Sequence, residues 1–477
     1  MAVLFAIGVG LRLWFLASYR PAFMGYSDSQ YYVSNAAHDL FQNGMRPAGY
    51  PLFLRVVHAV NAHLSVTIAV QHLLGLGTAT VLYLSLRRLG APRAVALAPA
   101  APVLLDGGQI FLEHAVLSEA LFTALVAAGV YATIRADEGG GARAPGWAVL
   151  AWAVLAGACA GMSATVRPVG LALVPVVALW LAAHRAGWRR AAVSGTVAVL
   201  GAAAVLGGYL YAQESATGAM SLTRGSGWDL YARVAQFADC SKFTPPPDTA
   251  ALCEHTRPDQ RPRSSAYIWQ PASPAERLFG FPPNGDSHLK AFARAAIRGQ
   301  PLSYLSGVGG DFLRYALLPA TQDADAGLNV RDLIYYLSGW GVSGHANEVS
   351  ALPALTDYYH ASGYTIHNLA ALRTYGRRVQ FGGAPLGIVA VIALLGLALA
   401  GRGRRRGPGL FLGVAAVLLV VPVATLDYEG RYGVPAYGPL AAAAALSGWA
   451  VYERWRVRGR SRTVPVPHAS EQSETPA

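Results

Sequence analysis

The sequence has few charged residues, very little lysine and few cysteines. Charged residues make up 13% of its 477 positions and hydrophobic residues make up 53%, and the mean hydropathy is positive. This composition excludes an ordinary soluble enzyme and is typical of an integral membrane protein. Lys242 and Lys290 are the only lysines, so the formal charge of +12 comes almost entirely from arginine.

Most of the arginines lie in short segments between apolar runs. This placement predicts control of membrane topology and contact with anionic lipids rather than binding of nucleic acid. A guanidinium group also binds phosphate with a planar fork, although codon usage explains an arginine bias equally well.

The sequence also lacks the short motifs of several enzyme classes. It contains no P-loop lysine motif, paired C-x-x-C, H-E-x-x-H or G-x-S-x-G, which argues against a transport ATPase, a zinc protease and a serine hydrolase. Its three cysteines have no metal-site spacing, and Cys159 lies in an apolar run. Cys240 and Cys253 flank a proline-rich segment and are expected to form a disulfide if that segment is exoplasmic, with two free thiols as the alternative.

Ten apolar runs are candidates for membrane helices, since a span needs about 20 mostly apolar residues and somewhat fewer at the edge of a bundle. They are residues 1–17, 64–86, 94–105, 120–134, 146–166, 168–183, 191–211, 383–400, 410–426 and 435–452. The first run carries Arg12 and no small-residue cleavage site, so we expect a retained helix rather than a cleaved signal peptide. The pattern predicts an all-α polytopic membrane protein.

The short arginine clusters all fall on one side if the odd-numbered spans leave the cytoplasm, as the positive-inside rule requires. Both termini are then cytoplasmic. Four regions follow: a transmembrane catalytic module (1–211) with a first outer loop at 18–63, a large exoplasmic subdomain (212–382), the last transmembrane helices (383–452) and a basic, disordered tail (453–477).

The first outer loop brings a carboxylate and an arginine to the membrane surface. Asp28 stands near its start, a half-apolar segment at 31–41 follows, and then come the hexapeptide R-P-A-G-Y-P at 46–51 and an apolar-faced segment at 52–60. Because unpaired backbone cannot lie in lipid, we expect two short amphipathic helices along the surface. They hold Asp28 and Arg46 at the interface; the simpler alternative is that Asp28 only caps the first of them.

An Asp shortly after the first membrane helix, a tyrosine-rich surface helix and R-P-x-G-Y-P together resemble the first loop of integral-membrane C-type glycosyltransferases (GT-C). The resemblance is greatest to their protein-mannosyltransferase-like and aminoarabinose-transferase-like branch. It implies a GT-C-like bundle of about ten transmembrane helices, a polyprenyl-phosphate-linked sugar donor and an exoplasmic Asp28 that acts as base or positioning group. The resemblance covers residues 1–211 and the last two spans, whereas the large loop matches nothing in it and is expected to select the acceptor.

The second outer loop supplies further acidic candidates. Glu113 and Glu119 lie at or next to the start of a membrane helix, where charged groups are costly and usually functional. The run L-S-E-x-L-F resembles the segment that supplies an acidic residue near the donor site in this branch, which implies that Glu119, and with it Glu113, lines the cavity. The alternatives are that Ser118 and Glu119 cap the helix and that His114 is a hydrogen-bonded structural residue rather than a metal ligand.

Three arginines are candidates for binding the donor phosphate. Arg431 ranks first, because R-Y-x-x-P in the last outer loop resembles the family segment that helps to hold this phosphate. Arg167 and Arg46 rank behind it. Arg167 lies at a tight turn between two spans, with snorkelling to the headgroups as an equal alternative. Arg46 has the alternative role of pinning the surface helices together. The expected substrate cavity includes Tyr26, Tyr50, His114 and Tyr432.

Two patterns in the large loop carry weaker signals. Trp228 and Asp229 suit either sugar binding or the membrane interface. Asp323 and Asp325 form a D-x-D, for which an exposed turn is a better interpretation than a metal site. The resembled glycosyltransferase branch is not uniform in its use of metal, so a divalent metal stays possible.

These observations predict a multi-pass glycosyltransferase of the plasma membrane with an exoplasmic active site. A carboxylate accepts the proton of an acceptor hydroxyl, arginine or a metal stabilises the leaving phosphate, and an apolar groove holds the prenyl tail. The acceptor is a glycan, a lipid or a protein. Two alternatives remain: a transporter or flippase of lipid-linked sugars, which would place ionisable residues deep inside its spans, and a membrane glycan polymerase or ligase.

Overall fold

The computed structural model describes residues 2–23, 26–41, 44–138, 146–183, 187–271, 273–317, 358–359 and 365–461. Over these residues the chain is almost entirely helical, which confirms the all-α polytopic class. One short antiparallel ladder pairs β1 (Tyr19–Arg20) with β2 (Thr365–Ile366), so the start of the first outer loop is tied to the end of the large loop. The D-x-D at Asp323 and Asp325 and the tail beyond 461 lie outside the described residues.

The helices have the following bounds in chain order. They are α1 (Ala2–Ser18), α2 (Tyr26–Ala37), α3 (Gly49–Val60), α4 (Leu64–Arg88), α5 (Arg93–Ala96), α6 (Ala100–Leu105), α7 (Gly107–His114), α8 (Glu119–Glu138), α9 (Gly146–Val166), α10 (Leu173–Ala182), α11 (Trp188–Thr217), α12 (Ser226–Ala235), α13 (Ser264–Trp269), α14 (Pro274–Phe279), α15 (Asp286–Gly299), α16 (Pro301–Leu317), α17 (Leu369–Arg378), α18 (Ala384–Leu399), α19 (Arg406–Thr425), α20 (Gly430–Gly433) and α21 (Tyr437–Ser461).

Six segments of the described chain are long and apolar enough to cross a membrane: α4, most of α8, α9, most of α11, α19 and the stretch Gly430–Arg456, which contains α20 and most of α21. Three shorter apolar helical stretches, Ala2–Ser18, Pro168–Ala182 and Ala384–Leu399, correspond to three further expected spans. The protein is therefore a multi-pass membrane protein.

The one expected span not yet accounted for, residues 94–105, is not one continuous helix. The structure divides it into the short helices α5 and α6, separated by a turn at 97–99. Pro99 and Pro102 explain the division, because proline lacks the N–H group that would continue the helical hydrogen bonds. Helix α11 also differs from expectation, since it continues to Thr217 instead of ending near 211.

The arginine clusters predicted to face the cytoplasm meet at one end of the bundle. Arg406, at the start of α19, pairs with Asp137 near the end of α8, with 3.1 Å between Nη2 and Oδ1. Arg404 lies 3.8 Å from Glu453 near the end of α21. We call this the basic end. Because α8 spans about 30 Å at 1.5 Å per residue, its first residue lies at the opposite end of the bundle, which we call the site end.

Close helix packing in the bundle depends on glycine. Helix α9 packs along α11, and a Cβ atom on Gly157 would lie 1.7 Å from the carbonyl oxygen of Ala198. A Cβ atom on Gly201 would lie 2.5 Å from the carbonyl oxygen of Val154. Small residues let two helix backbones approach in this way, which gives the dispersion contacts that hold membrane helices together.

The first outer loop folds as two short helices, α2 and α3, as the sequence predicted. Arg55 of α3 joins them by donating hydrogen bonds to the carbonyl oxygens of Ala36 and His38, at 2.6 and 2.7 Å. The motif glycine Gly49 brings the start of α3 against the end of α9, because a Cβ atom there would lie 2.5 Å from the carbonyl oxygen of Thr165. The loop is thereby held beside Arg167, at the site end.

The large loop contains its own hydrophobic core over the residues described. Trp228, Tyr231 and Phe292 are fully buried in a cluster separate from that of the bundle. The disulfide expected between Cys240 and Cys253 is present, with a Cα–Cα distance of 5.9 Å that is ordinary for such a bond. Helices α12 and α15 pack together in this cluster and extend to the site end.

Candidate active site

The carboxylate of Asp28 lies between two arginines that come from distant parts of the chain. Arg46 donates from Nε and Nη2 to Oδ1 of Asp28, at 2.9 and 2.7 Å. Arg431, just before the last membrane helix, places Nη2 2.8 Å from Oδ2. Both carboxylate oxygens are therefore engaged by guanidinium groups. Asp28 lies in the first turn of α2, but its oxygens serve these ion pairs rather than only capping the helix.

A second carboxylate and a third arginine extend this cluster. Glu119, at the start of α8, forms an ion pair with Arg167 and lies 3.8 Å from Nη1 of Arg431. Glu429 accepts a hydrogen bond from Nε of Arg431 at 2.6 Å. The ring of Tyr432 lies against the guanidinium groups of Arg167 and Arg431, at 4.9 and 5.1 Å. We call Asp28, Glu119, Glu429, Arg46, Arg167 and Arg431 the site cluster; its three negative charges balance its three positive ones.

The site cluster borders a cavity of about 350 Å³. Asp28, Arg46, Arg167, Arg431 and Tyr432 line it directly. Apolar residues of α9, α19 and the segment after α9 line another part of its wall: Val166, Pro168, Val169, Val421 and Pro422. The large loop closes a third side with Asp229 and Leu230 of α12 and Lys290 and Arg294 of α15. The cavity wall therefore combines charged side chains, apolar side chains and residues of the large loop.

The ion pairs decide the protonation state of Asp28. Burial disfavours its charged form, but the opposing charges and hydrogen bonds of Arg46 and Arg431 outweigh burial and hold the pKa of Asp28 well below its ordinary value. Asp28 is therefore a carboxylate at physiological pH. Among groups outside the membrane-spanning helices, Asp229 shows the opposite behaviour, since burial raises its pKa to about 6.

Glu113 and His114 do not join the site cluster and line neither of the two cavities described at the site end. Glu113 accepts hydrogen bonds from Nε and Nη2 of Arg12, at 2.8 and 2.7 Å, and from Gln109 at 2.9 Å. Nδ1 of His72 lies 3.0 Å from Glu113, and its Nε2 lies 3.0 Å from Nδ1 of His114. We call these residues the closed network. Sequence reasoning placed Glu113 and His114 beside the cavity because they precede a helix start, but α7 turns them into the bundle.

Tyr50 also lies away from the cavity. Its hydroxyl donates to Oε1 of Gln71 at 2.6 Å, and the amide of Gln71 donates to the carbonyl oxygens of Glu113 and Ala115. The tyrosine of R-P-A-G-Y-P therefore connects α3 to the closed network. Tyr26 begins α2, and its side chain lies outside the described residues.

Sequence reasoning missed three contributors to the site. Glu429 was overlooked although it stands two residues from Arg431, the arginine that the sequence ranked first. Lys290 and Arg294 are four residues apart and lie on one face of α15. The sequence pattern indicated a helix here, but it did not indicate that this face of the helix lines the cavity. Among the described residues, no group of three or more His, Cys, Asp or Glu side chains could hold a metal ion.

A comparison with protein families finds a match that begins where the first loop ends. Residues 63–197 match the family described as dolichyl-phosphate-mannose-protein mannosyltransferase. The matched segment contains Glu119 and Arg167 of the site cluster. It covers less than a third of the chain and confirms the mannosyltransferase-like resemblance there. No curated protein matches this chain.

Several solved membrane-protein structures are similar over most of the chain. The oligosaccharyltransferase of Archaeoglobus fulgidus in its apo form is 11% identical with a TM-score of 0.48, over 97% of this chain and 51% of that one. The same enzyme, AglB, with an inhibitory peptide and a dolichol-phosphate has a TM-score of 0.47 at 11% identity, over 98% and 52%. ArnT from Cupriavidus metallidurans bound to undecaprenyl phosphate has a TM-score of 0.37 at 14% identity, over 94% and 77%. The chain spans about half the length of the archaeal proteins.

Proposed function

We propose that this protein is a membrane glycosyltransferase that transfers a sugar from a polyprenyl-phosphate donor to an acceptor on the exoplasmic side of the plasma membrane. The observation that carries the proposal is the position of Asp28. Its carboxylate is held between Arg46 and Arg431 and lines a cavity with an apolar wall, at the end of the bundle opposite the basic end. The family match over 63–197 supports a polyprenyl-phosphate sugar as the donor class.

The arginines of the site cluster suit the leaving phosphate. As the bond from C1 of the sugar to the phosphate oxygen breaks, the electron pair stays on that oxygen and negative charge grows there. Preformed guanidinium groups in a partly dry site stabilise such charge strongly. Arg431 ranks first because it lies at the centre of the cluster, between Asp28, Glu119 and Glu429, with Arg167 and Arg46 on either side.

The geometry favours a positioning and electrostatic role for Asp28 over that of proton acceptor. Its oxygens accept three N–H groups in the arrangement observed, and a carboxylate stabilised in this way binds a proton weakly. A negative charge at this place orients Arg46 and Arg431 and stabilises the positive charge that develops on the sugar ring. Glu119 orients Arg167 in the same manner.

The apolar wall of the cavity suits the first isoprene units of the donor. Val166, Val169 and Val421 lie beside the charged groups, so a phosphate on the arginines leaves its lipid chain directed along α9 and α19. Lys290 and Arg294 of α15 also line the cavity, and they belong to the large loop, from which the acceptor would enter. We therefore propose that the acceptor binds at α15 of the large loop.

A lipid-linked sugar flippase is the second candidate, and one observation favours it. The closed network places Arg12, His72 and Glu113 inside the bundle, where a transporter would carry its ionisable residues. However, the carboxylate of Glu113 is fully engaged by Arg12, His72 and Gln109, and the network borders neither described cavity. The closed network is therefore better explained by a structural role than by a role in transport.

The test of the proposal is the set of glycans and glycolipids made by cells with and without the protein. Mass spectrometry of cells that lack the protein should show one glycan class without a terminal or branching sugar, and wild-type protein should restore it. Protein carrying Asp28→Asn, at equal abundance, should not restore it. Accumulation of an unflipped lipid-linked sugar, restored equally by both forms, would instead support the flippase.

A further inference from the structure

The cavity contains a second carboxylate whose situation is the opposite of that of Asp28. Asp229 lies in the first turn of α12 and lines the same cavity as Asp28 and Arg46. Within the part of the chain that the structure describes, its carboxylate forms no ion pair and accepts no hydrogen bond, although its backbone N–H donates to Gly225 at 3.0 Å. The side chain is only partly buried, so its oxygens are open to the cavity.

This difference matters because the proposed reaction releases a proton. The acceptor hydroxyl must lose its hydrogen as its oxygen bonds to C1 of the sugar, and a general base in the cavity makes this step easier. Asp28 is a poor choice, since three guanidinium N–H groups already occupy its oxygens. The carboxylate of Asp229, on the large-loop side of the cavity, has lone pairs available to accept the proton.

We propose that Asp229 is the catalytic base that accepts the proton of the acceptor hydroxyl, while Asp28 holds the arginines and the sugar in place. This inference rests on the proposed glycosyl transfer and assigns one step of it. The acceptor O–H bond breaks and its proton moves to a carboxylate oxygen of Asp229. The acceptor oxygen bonds to C1, the C1–phosphate bond breaks, and its electron pair leaves with the polyprenyl phosphate. Asp229 later releases the proton to water in the cavity.

The surroundings of Asp229 tune it for this task. Burial raises its pKa to about 6, the nearby charge of Arg46 lowers it, and the charges of Asp286 and Asp28 raise it. Helix α19 faces it with the uncharged residues Val421, Pro422 and Thr425. Asp427, after α19, is close enough to interact with it electrostatically. The other charged or titratable groups that line the same cavity are Tyr32 of α2, Arg167 after α9, Lys290 and Arg294 of α15, and Arg431 and Tyr432 of α20. A base whose pKa lies near the working pH is the most effective one.

The position of Asp229 is fixed by its neighbours in the large loop. Helix α12 begins beside α15, where the backbone N–H of Gly227 donates to Oδ1 of Asp286 at 2.5 Å. Trp228, the next residue, is fully buried and donates from Nε1 to the carbonyl oxygen of Asn284 at 2.9 Å. These bonds hold Asp229 toward the cavity without using its carboxylate. The large loop thus supplies the proton acceptor, and the membrane bundle supplies the phosphate site.

The experiment compares membranes that contain wild-type protein, Asp229→Asn, Asp229→Glu or Asp259→Asn across pH 4.5 to 8. Each receives a panel of ¹⁴C-labelled polyprenyl-phosphate sugars and acceptor from cells lacking the protein. Asp259 is an exposed residue of the same large loop and serves as the matched control. Native mass spectrometry with undecaprenyl phosphate as the probe reports whether each variant still binds the phosphate.

Wild-type transfer should fall below about pH 6, as Asp229 becomes protonated. Asp229→Asn should lower kcat by roughly 100-fold or more and remove this fall, while undecaprenyl phosphate still binds. Asp229→Glu should recover part of the rate, and Asp259→Asn should behave as wild type.

Transfer by Asp229→Asn within threefold of wild type, with the same pH profile, would overturn the inference and leave the proposed function intact. Loss of undecaprenyl phosphate binding in this variant would also overturn it, since Asp229 would then act on the donor or on the fold. Absence of transfer by the wild type with every donor would overturn the proposed function itself, and the inference with it.

Discussion

The site cluster and the closed network are built from the same chemistry but differ in what they face. Each pairs buried carboxylates with arginine: Asp28 with Arg46 and Arg431 in the first, and Glu113 with Arg12 in the second. The carboxylate of Glu113 is enclosed by protein on all sides, whereas that of Asp28 borders a cavity. A buried ion pair is therefore no sign of a functional site unless a cavity gives substrate access to it.

This contrast predicts that the same kind of substitution has opposite effects in the two places. A change in the site cluster should remove activity and leave the fold intact, because water and counter-ions in the cavity can compensate for the lost charge. A change in the closed network should destabilise the fold and leave activity per folded molecule unchanged, since nothing replaces the lost partner.

The largest effect is expected for Asp28→Asn. It should lower sugar transfer by about 1,000-fold, because Arg46 and Arg431 lose the charge that orients them in the transition state. The measurement is transfer of labelled sugar from a polyprenyl-phosphate donor in membranes with equal amounts of protein. Asp39→Asn, at an exposed position of the same loop, is the control and should retain full transfer. Full turnover by Asp28→Asn would remove Asp28 from the site.

Glu113→Gln should have the next largest effect, and it should appear as lost stability. The substitution leaves Arg12 buried without its anion, which costs about 3–5 kcal/mol when a buried pair is broken. Thermal unfolding in detergent measures this loss. The matched change Glu453→Gln breaks a more exposed pair with Arg404 at the basic end and should cost less than about 1 kcal/mol. A stable Glu113→Gln protein without transfer activity would instead place Glu113 in the active site.

Arg431→Ala should raise the KM for the donor by roughly 30-fold while changing the KM for the acceptor much less, because we propose Arg431 as the main ligand of the donor phosphate. Steady-state kinetics with each substrate varied in turn measure the two constants. Arg298→Ala, on an exposed position of α15, is the control. An equal rise of both constants would contradict the assignment of Arg431 to the phosphate.

The smallest effect is expected for Tyr50→Phe, which should lower stability by about 1 kcal/mol. The change removes the hydrogen bond from the Tyr50 hydroxyl to Gln71, and one such bond contributes about this much. Tyr32→Phe, which removes the bond from a cavity-lining tyrosine to Ser118, is the matched variant at the site. Reduced transfer by Tyr50→Phe at unchanged stability would show that Tyr50 contacts substrate after all.

Sequence patterns predicted those features that depend on neighbouring residues. Apolar runs located most of the membrane helices, and turn and surface patterns located α2 and α3, because each pattern reflects local hydrogen bonding and burial. The R-P-A-G-Y-P motif now has a physical explanation. Gly49 permits close approach to α9, Tyr50 anchors α3 to Gln71, and Arg46 binds Asp28.

Sequence patterns failed where a residue's role depends on its direction in the folded bundle. Glu113 and Glu119 stand only six positions apart, at the end of α7 and the start of α8, yet the first pairs with Arg12 inside the bundle and the second with Arg167. Asp229 gave only a weak signal, because its importance comes from lacking a partner among the described residues, in a cavity formed by several distant segments. Such relations arise from tertiary packing and have no local pattern.

We expect the cavity beside Asp28 to bind a polyprenyl phosphate, and photo-crosslinking can locate this lipid on the protein. A polyprenyl phosphate with a photoreactive group on its first isoprene unit would be bound to the purified protein, and the labelled peptides identified by mass spectrometry. Binding of the lipid in this cavity predicts labels within 166–169 and 421–426, reduced strongly by Arg431→Ala. Labels elsewhere in the bundle, or labelling at 166–169 and 421–426 that Arg431→Ala leaves unchanged, would contradict it.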